Sequence, residues 1–346
     1  MKALILSGPR QLGVRDIPEP APGPGEVLVQ VAFGGICGTD LRLYRGTKVV
    51  PYPRVIGHEF AGRIAASGPG VGDWAVGQRV VVYPTVSCGA CYACLAGRPN
   101  ICVRRRTIGY EWDGGFAEYV VIPAQAVGGG NVIAIPDALS DEEAALTEPV
   151  AAALMGIRRG GVTAGSQVLI FGAGPIGLAH VQLSRLAGAT TVAVSEPQPA
   201  RREAALAVGA AAAIDPSADS LAAVVQRIFG EPGPDIAFVD VGVPALVPTA
   251  VGLLRKGGRC VIFAGMAEGA TSVLEPNTIH YREIDLVGSS SSTPQNQAEV
   301  LRSAVERRID LRALLSDVLA LEDWSAGFEM KDQGDGLKVL LDPRGR

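Results

Sequence analysis

The chain has 346 residues, more than one hydrophobic core usually organises, so two domains are expected. Hydrophobic residues make up 48% and charged residues 19%, a balance typical of a globular protein. The formal net charge of −4 and the absence of long basic runs argue against nucleic acid or an anionic membrane as a partner. The apolar run near the start is too short for a signal peptide and no later run could span a bilayer, which predicts a cytoplasmic protein.

Short apolar stretches separated by Gly and Pro clusters occupy the first part of the chain. Strands are predicted at residues 28–31, 62–65, 79–82 and 118–121. Gly and Pro mark the turns between these runs. The pattern predicts a compact, β-rich domain that carries long loops.

Four of the six cysteines lie in one short segment of that domain. A redox dithiol would need two cysteines at a helix start, whereas four occur here on one loop: Cys88, Cys91, Cys94 and Cys102. Four thiolates on such a loop can surround a tetrahedral Zn²⁺. We therefore predict a structural zinc with no open coordination position.

From about residue 156 the pattern changes to apolar strands that alternate with Ala- and Leu-rich helical segments. Strands are predicted at 168–171, 191–195, 211–214, 236–240, 259–264 and 285–288. Strands joined by helical crossovers form a doubly wound parallel sheet, so the fold class is α/β. A helix at 295–308 and a strand at 337–341 follow, and we expect them to return to the first domain. The predicted divisions are 1–155, 156–292 and 293–346.

A glycine-rich turn joins the first of these strands to the next helix. It reads Gly172-Ala173-Gly174-Pro175-Ile176-Gly177 and opens a helix at 178–186. Glycines at these places allow a tight turn, the approach of a pyrophosphate and close packing of the helix on the strand. The turn therefore predicts a dinucleotide site, with Gly172, Gly174, Pro175, Ile176 and Gly177 as contacts.

An acidic residue follows at the end of the second strand of this domain. Glu196 lies nineteen residues after Gly177, where a carboxylate can accept hydrogen bonds from adenosine ribose hydroxyls and repel a 2′-phosphate. This favours NAD over NADP. Arg201 and Arg202 are the alternative, because a guanidinium can bind a phosphate, although both could also be solvated charges in the next helix.

Two further segments of the first domain contain residue types that bind metals. Cys37 lies in a Gly-rich segment, and His58 and Glu59 lie in Gly57-His58-Glu59-Phe60-Ala61-Gly62. With the four cysteines and the glycine-rich turn, in this order and at these spacings, they make the chain resemble the zinc-dependent medium-chain dehydrogenase/reductase family almost end to end. The resemblance implies a GroES-like catalytic domain at 1–155, a Rossmann NAD(P) domain at 156–292 and a C-terminal segment that returns to the catalytic domain.

The same resemblance implies a second, catalytic zinc held by Cys37 and His58, with the nicotinamide facing that metal. Glu148 in Glu148-Pro149 is similar to the polyol, sorbitol-like branch, where a glutamate here or directly after the histidine completes the metal shell. We predict Cys37, His58 and Glu59 as the core, with Glu148 bound directly or through water. Asp40 resembles the carboxylate that orients the histidine ligand. A homodimer or homotetramer is also implied.

Three more assignments follow from the resemblance. Thr39 matches the hydroxyl that takes the proton of the substrate. The next position of the proton relay, a histidine in alcohol dehydrogenases, is Arg42 here, so we expect the proton to leave through water. Lys338 matches a basic residue that reaches the cofactor pyrophosphate, the alternative being an exposed strand lysine.

The substrate is predicted to be a polyol-like secondary alcohol. The loop at 109–114, with Arg42 and Tyr44, supplies donors, acceptors and aromatic rings of the kind a sugar-like molecule needs. The segment at 277–283 more loosely resembles enzymes that oxidise cyclitol or aminosugar hydroxyls in antibiotic biosynthesis. Threonine and butanediol dehydrogenases share the same motifs, and a catalytically dead dinucleotide-binding relative is the non-enzyme alternative. Cys260, His180 and His280 are interpreted as packing or surface residues.

Overall fold

The computed structural model describes residues 1–72, 74–218 and 220–345, which divide into two compact units. The first unit comprises residues 1–151, 291–307 and the chain from 314 onward, and the second comprises 152–290 and 308–313. The structure therefore groups the C-terminal segment with the β-rich first part of the chain. Among the described residues, no helix combines the length and apolar character that crossing a membrane requires.

The strands, in chain order, are β1 (Lys2–Gly8), β2 (Gln11–Asp16), β3 (Val27–Gly35), β4 (Arg54–Val55), β5 (Glu59–Ser67), β6 (Arg79–Val82), β7 (Thr85–Val86), β8 (Arg106–Thr107), β9 (Tyr119–Ile122), β10 (Val132–Ala134), β11 (Gln167–Phe171), β12 (Thr191–Ser195), β13 (Ala212–Ile214), β14 (Ile236–Val239), β15 (Arg259–Ile262), β16 (Asp285–Gly288), β17 (Leu315–Ala320) and β18 (Lys338–Asp342). The helices are α1 (Gly38–Tyr44), α2 (Tyr92–Leu95), α3 (Ala124–Gly128), α4 (Asp141–Ala145), α5 (Thr147–Gly160), α6 (Pro175–Leu186), α7 (Pro199–Ala207), α8 (Leu221–Phe229), α9 (Leu246–Leu253), α10 (Pro276–Arg282), α11 (Pro294–Val305) and α12 (Trp324–Gln333).

The main sheet of the first unit is built around β3. Its strand order is β10-β6-β5-β3-β18-β17, and β9 also pairs with β3. Val27, Val29 and Val31 alternate along β3 and are fully buried, together with Phe60 and Ile64 of β5. Removing each such side chain from water contributes roughly 1.5–3 kcal/mol. This core fixes the C-terminal end of β3 and the start of β5, where the candidate metal ligands lie.

The second unit contains a parallel sheet of order β13-β12-β11-β14-β15-β16. All of its described strand pairs are parallel, from β12 with β13 to β15 with β16. From β11 the chain adds strands first on one side, to β13, and then on the other side, from β14 to β16. The carboxyl ends of β11 and β14 therefore mark the topological switch point, where such sheets bind ligands. The predicted doubly wound sheet is confirmed, with each predicted strand present within a few residues of its expected bounds.

Candidate active site

Cys37 lies between β3 and α1 and caps the helix with both its side chain and its backbone. Its Sγ accepts the Thr39 N–H at 3.5 Å, and Asp40 Oδ2 accepts the Cys37 N–H at 2.8 Å. These two contacts fix the position of Cys37 at the start of the helix. The local structure thus presents its sulfur as a possible ligand.

His58 and Glu59 are positioned by the turn that enters β5. Gly57 has a φ of 95°, a conformation that disfavours any side chain. A Cβ atom at this position would lie 2.6 Å from the ring of Phe116. The glycine of the motif is therefore needed for the backbone that directs the next two side chains inward.

One donor atom each from Cys37, His58 and Glu59 lies within 4.8 Å of the other two. His58 and Glu59 are 6% and 1% exposed, so water does not readily replace a ligand there. His58 Nδ1 lies 3.4 Å from Asp40 Oδ1, which leaves Nε2 as the nitrogen available to a metal. Sulfur, nitrogen and carboxylate oxygen are donors that Zn²⁺ accepts, so the three residues fit the predicted catalytic zinc.

Glu148 lies in the first turn of α5, near this cluster, without belonging to the three closely spaced donors. Burial, and then the charge of Glu59, raise the pKa of the Glu148 carboxyl to about 7. A cation close to both carboxyls would allow both to ionise. The structure thus brings Cys37, His58 and Glu59 together and places Glu148 within electrostatic range of them.

The surroundings of His58 carry an excess of acidic groups. Burial acts to lower the pKa of His58, but Tyr110, Asp40 and Cys37 outweigh burial and raise it well above its ordinary value. The rings of His58 and Tyr110 lie with their centroids 5.2 Å apart. An environment that draws a proton onto a buried imidazole is one that also attracts a metal cation.

Lys338 is the positive group of this site. It is 4% exposed, forms an ion pair with Glu59 and donates to the Ile36 carbonyl at 3.0 Å. The charges of Glu59 and Cys37 raise the pKa of Lys338 although burial acts in the opposite direction. The alternative of an exposed strand lysine is wrong, because β18 is an interior strand of the sheet. A contact from Lys338 to a pyrophosphate stays a prediction.

The remaining residues assigned to proton transfer lie on α1. Thr39 is in its first turn, partly exposed, and Arg42 is exposed in its last turn. Arg42, the residue that matches the relay histidine in the predicted resemblance, is therefore a permanently charged and exposed guanidinium. The proton-transfer role of Thr39 stays a prediction.

The four cysteines of the predicted structural zinc also come together. Cys88, Cys91, Cys94 and Cys102 are free thiols whose sulfur atoms lie within 4.8 Å of one another. The N–H of Ala90 lowers the pKa of Cys88 to about 6, and the N–H of Cys94 lowers that of Cys91. Burial raises the pKa of Cys94 to about 11, so binding a metal here would displace a proton. Four sulfur donors match a closed, structural zinc site.

The glycine-rich turn in the second unit has the geometry expected of a dinucleotide site. Gly172 has a φ of 106°, and Gly174 caps α6, which Pro175 begins. A Cβ on Gly177 would lie 2.0 Å from the Gly172 oxygen, whereas a Cβ on Gly174 would meet no described atom within 4 Å. Gly177 thus serves the packing of helix on strand, and Gly174 leaves space beside the N-terminus of α6, where anions bind. Ile176 lies in the first turn of this helix.

The acidic residue after β12 supports this turn directly. Glu196 is 3% exposed, and its two oxygens accept the N–H groups of Ala173 at 2.8 Å and Gln198 at 2.9 Å. Arg202 donates to the Glu196 carbonyl at 2.9 Å and pairs with Asp215 at 3.0 Å, so it is not a solvated charge. Arg201 lies on α7 beside it. Ribose binding by Glu196 and phosphate binding by Arg201 stay predictions.

Sequence reasoning missed two groups. His180 is fully buried, with Nδ1 2.7 Å from Asp240 Oδ2 and Nε2 3.2 Å from the Ala153 carbonyl oxygen. Its ring also stacks on Phe238 at 4.2 Å between centroids. The other group is Lys48, whose ammonium lies over the ring of Tyr110. No motif marks either residue, because their partners lie about sixty residues away in the chain.

Comparison with known proteins now decides the family. Residues 23–137 match the alcohol dehydrogenase GroES-like domain, and residues 175–306 match the zinc-binding dehydrogenase family. The chain is 35% identical to L-galactonate-5-dehydrogenase of Escherichia coli K12 over 91% of each protein. The chain belongs to the zinc-dependent medium-chain dehydrogenase family. The predicted resemblance and the combination of a GroES-like and a Rossmann domain are confirmed, and the family is one of alcohol and polyol dehydrogenases.

Solved structures of relatives superpose over nearly the whole chain. A zinc-binding dehydrogenase of Sinorhizobium meliloti 1021 bound to NADP has a TM-score of 0.91 and 37% identity, covering 99% of both chains. A structure described as a short chain alcohol dehydrogenase of E. coli CFT073 complexed with NADH has a TM-score of 0.91 and 33% identity, again over 99% of both chains. Other relatives are named sorbitol dehydrogenase and L-threonine 3-dehydrogenase.

Proposed function

We propose that the protein oxidises a secondary hydroxyl of a polyol-like substrate with NAD, using a zinc ion held by Cys37, His58 and Glu59. The proposal rests on sulfur, nitrogen and oxygen donors that lie within 4.8 Å of one another, with His58 and Glu59 buried and Cys37 half-buried. Zinc, when bound, supplies Lewis acidity that lowers the pKa of an alcohol hydroxyl. In the balanced reaction, the alcohol loses a hydride to the dinucleotide and a proton to solvent, and becomes a ketone.

The residues of the chain would orient and neutralise this site. Asp40 accepts the backbone N–H of Cys37 and lies 3.4 Å from the ring nitrogen Nδ1 of His58. Lys338 balances the carboxylate charge of Glu59. Glu148 would bind the metal directly or through water. Thr39, in the first turn of α1, would take the proton of the alcohol and release it to water. Cyclitol and aminosugar hydroxyls belong to the same proposed substrate class.

The proposal for NAD depends on Glu196. Relatives have been described with NADP and with NADH, so the family does not decide between them. The buried carboxylate of Glu196 beside the glycine-rich turn disfavours a further phosphate there by charge repulsion. We also propose a homodimer or homotetramer, which light scattering of the purified protein would test.

The test is reduction of NAD and of NADP by zinc-loaded protein over a panel of hexitols, cyclitols, aminosugars, threonine and 2,3-butanediol. We expect turnover with at least one polyol-like alcohol and a preference for NAD. The Cys37→Ser variant should lose turnover and should also lose one of the two zinc ions per chain. Cys260→Ala is the matched control, since it removes a buried thiol outside both clusters. Turnover of threonine or butanediol alone would overturn the substrate class. A zinc-loaded protein that binds NADH but oxidises no alcohol would favour the dead relative.

A further inference from the structure

Lys48 lies beside the proposed zinc site without belonging to any motif of the family. Its Nζ is 3.4 Å from the centroid of the Tyr110 ring. The same ring also neighbours His58, whose imidazole centroid is 5.2 Å from the ring centroid. One aromatic side chain therefore connects an ammonium group to a proposed zinc ligand.

The ammonium of Lys48 is partly buried and lacks a strong anionic partner. In the described ranges 1–72, 74–218 and 220–345, its close contact is the face of the Tyr110 ring, and no ion pair with a carboxylate is formed. Burial lowers its pKa to about 8, which shows that the surroundings do not fully compensate the charge. A partly buried cation without a carboxylate partner costs free energy that an anionic ligand would recover.

Charges of both signs surround Lys48. Glu111 exerts the largest charge effect on the ammonium and, with Cys37, favours its charged form, whereas Arg105 and Arg42 act as like charges. The backbone N–H of Lys48 donates to the Arg42 carbonyl at 3.1 Å, which fixes the loop after α1. Glu111 accepts the N–H of Thr107 at 2.6 Å, so one of its carboxylate oxygens is already hydrogen-bonded within its own loop. Among the described residues Glu111 forms no ion pair with Lys48, so the ammonium can still bind an anionic ligand next to the proposed zinc site.

We propose that the alcohol substrate carries a carboxylate, as a sugar acid does, and that Lys48 binds this carboxylate while the reacting hydroxyl occupies the zinc site. This inference rests on the proposed function. A neutral polyol would offer Lys48 only neutral acceptors, whereas a carboxylate forms the stronger, charge-assisted hydrogen bond. Lys48 and His58 both neighbour the Tyr110 ring, and the carbon chain of a short sugar acid can cover a separation of this order. Arg42 and Arg105 attract the anion from solvent.

The test compares substrates that differ only at one terminal carbon. The pairs are sorbitol with gluconate, each as both enantiomers, and galactitol, which is meso, with each enantiomer of galactonate. In each pair a terminal hydroxymethyl group is replaced by a carboxylate. The ratio of kcat/KM for the acid to that for the polyol is measured in the zinc-loaded wild type, Lys48→Met, Lys48→Arg and Lys256→Met. Lys256→Met removes an exposed charge from the second unit and serves as the matched control.

We expect the wild type to prefer one of the acids and Lys48→Met to lower the acid-to-polyol ratio by roughly 30-fold or more, mainly through KM. Lys48→Arg should recover much of the ratio, and Lys256→Met should leave it unchanged. Equal loss on acid and polyol in Lys48→Met, or a wild type that prefers the polyol, would overturn the inference while the proposed function stands. Failure of every acid and every polyol here, and of every alcohol in the panel of the proposed function, with zinc present, would reject the proposed function itself.

Discussion

Asp40 divides its two carboxylate oxygens between two proposed zinc ligands. Oδ2 accepts the N–H of Cys37 at 2.8 Å, and Oδ1 lies 3.4 Å from Nδ1 of His58. The carboxylate is fully buried, so water does not compete for either contact. One side chain therefore contacts both Cys37 and His58, although it is not among the three closely spaced donors.

We predict that Asp40→Asn lowers the zinc affinity of this site about 10- to 100-fold, because an amide presents one acceptor and one donor where two acceptors are needed. Chelator competition followed by metal analysis measures the affinity and the stoichiometry. Asp137→Asn, an identical change at an exposed acid, should have no effect. Wild-type affinity in Asp40→Asn would contradict the positioning role.

Residue types at fixed spacing made much of the site predictable from sequence. The candidate metal ligands can be recognised from residues a few positions away in the sequence: this holds for Cys37, the His58 motif and the four cysteines. The partners of Lys48 and His180 are set by tertiary packing, so no local pattern announces them. Lys338 was anticipated as a functional lysine, but its pairing with Glu59 depends on where β18 enters the sheet.

At the scale of elements, two glycines of the turn between β11 and α6 do different work. A Cβ at Gly177 would collide with the Gly172 carbonyl oxygen at 2.0 Å, and the helix would have to move away from the strand. Gly174 has a φ of −69° and open space around it, so the protein alone does not require glycine there. A glycine at this position leaves room for a ligand to approach the backbone.

We predict that Gly177→Ala destabilises the protein by about 1–3 kcal/mol because it overpacks the contact of helix and strand. Gly174→Ala should leave the thermal midpoint unchanged and weaken NADH binding by roughly 10-fold, because the methyl group occupies the approach of the pyrophosphate. Differential scanning calorimetry and fluorescence titration with NADH measure the two effects. A Gly174→Ala protein with normal NADH affinity would argue against the assigned binding turn.

The elements themselves were predicted with uneven success, for physical reasons. Buried parallel strands such as β11 and β14 are continuous apolar runs, and the predicted bounds lie within one residue of the observed ones. The β1–β2 hairpin and α12 were not predicted. In the turn of this hairpin Arg10 has a φ of 60°, a left-handed conformation that Gly or Asn usually adopts. The sequence of α12 contains a glycine, Gly327, whose absent side chain makes room for Ile36.

At the scale of the whole molecule, the first unit is assembled from both ends of the chain. Strand β18 inserts between β3 and β17, with Leu340 paired to Gly35, more than three hundred residues apart. Leu340 and Leu341 are fully buried in this sheet. The ion pair of Lys338 with Glu59 lies at the same junction, so the C-terminal segment contributes to the fold and to the charge of the proposed zinc site.

We predict that Lys338→Met destabilises the zinc-free protein by about 3–5 kcal/mol, because it leaves the buried carboxylate of Glu59 without a counter-charge. Adding Glu59→Gln to this variant should restore part of the loss, since the uncompensated charge disappears. In the zinc-loaded protein the loss should be smaller, because a metal on Glu59 takes over the compensation. Thermal unfolding of the wild type, both single variants and the double variant, with and without zinc, measures all three effects. Strictly additive losses, equal in the presence and absence of zinc, would show that Lys338 and Glu59 act independently and that Glu59 does not contact the metal.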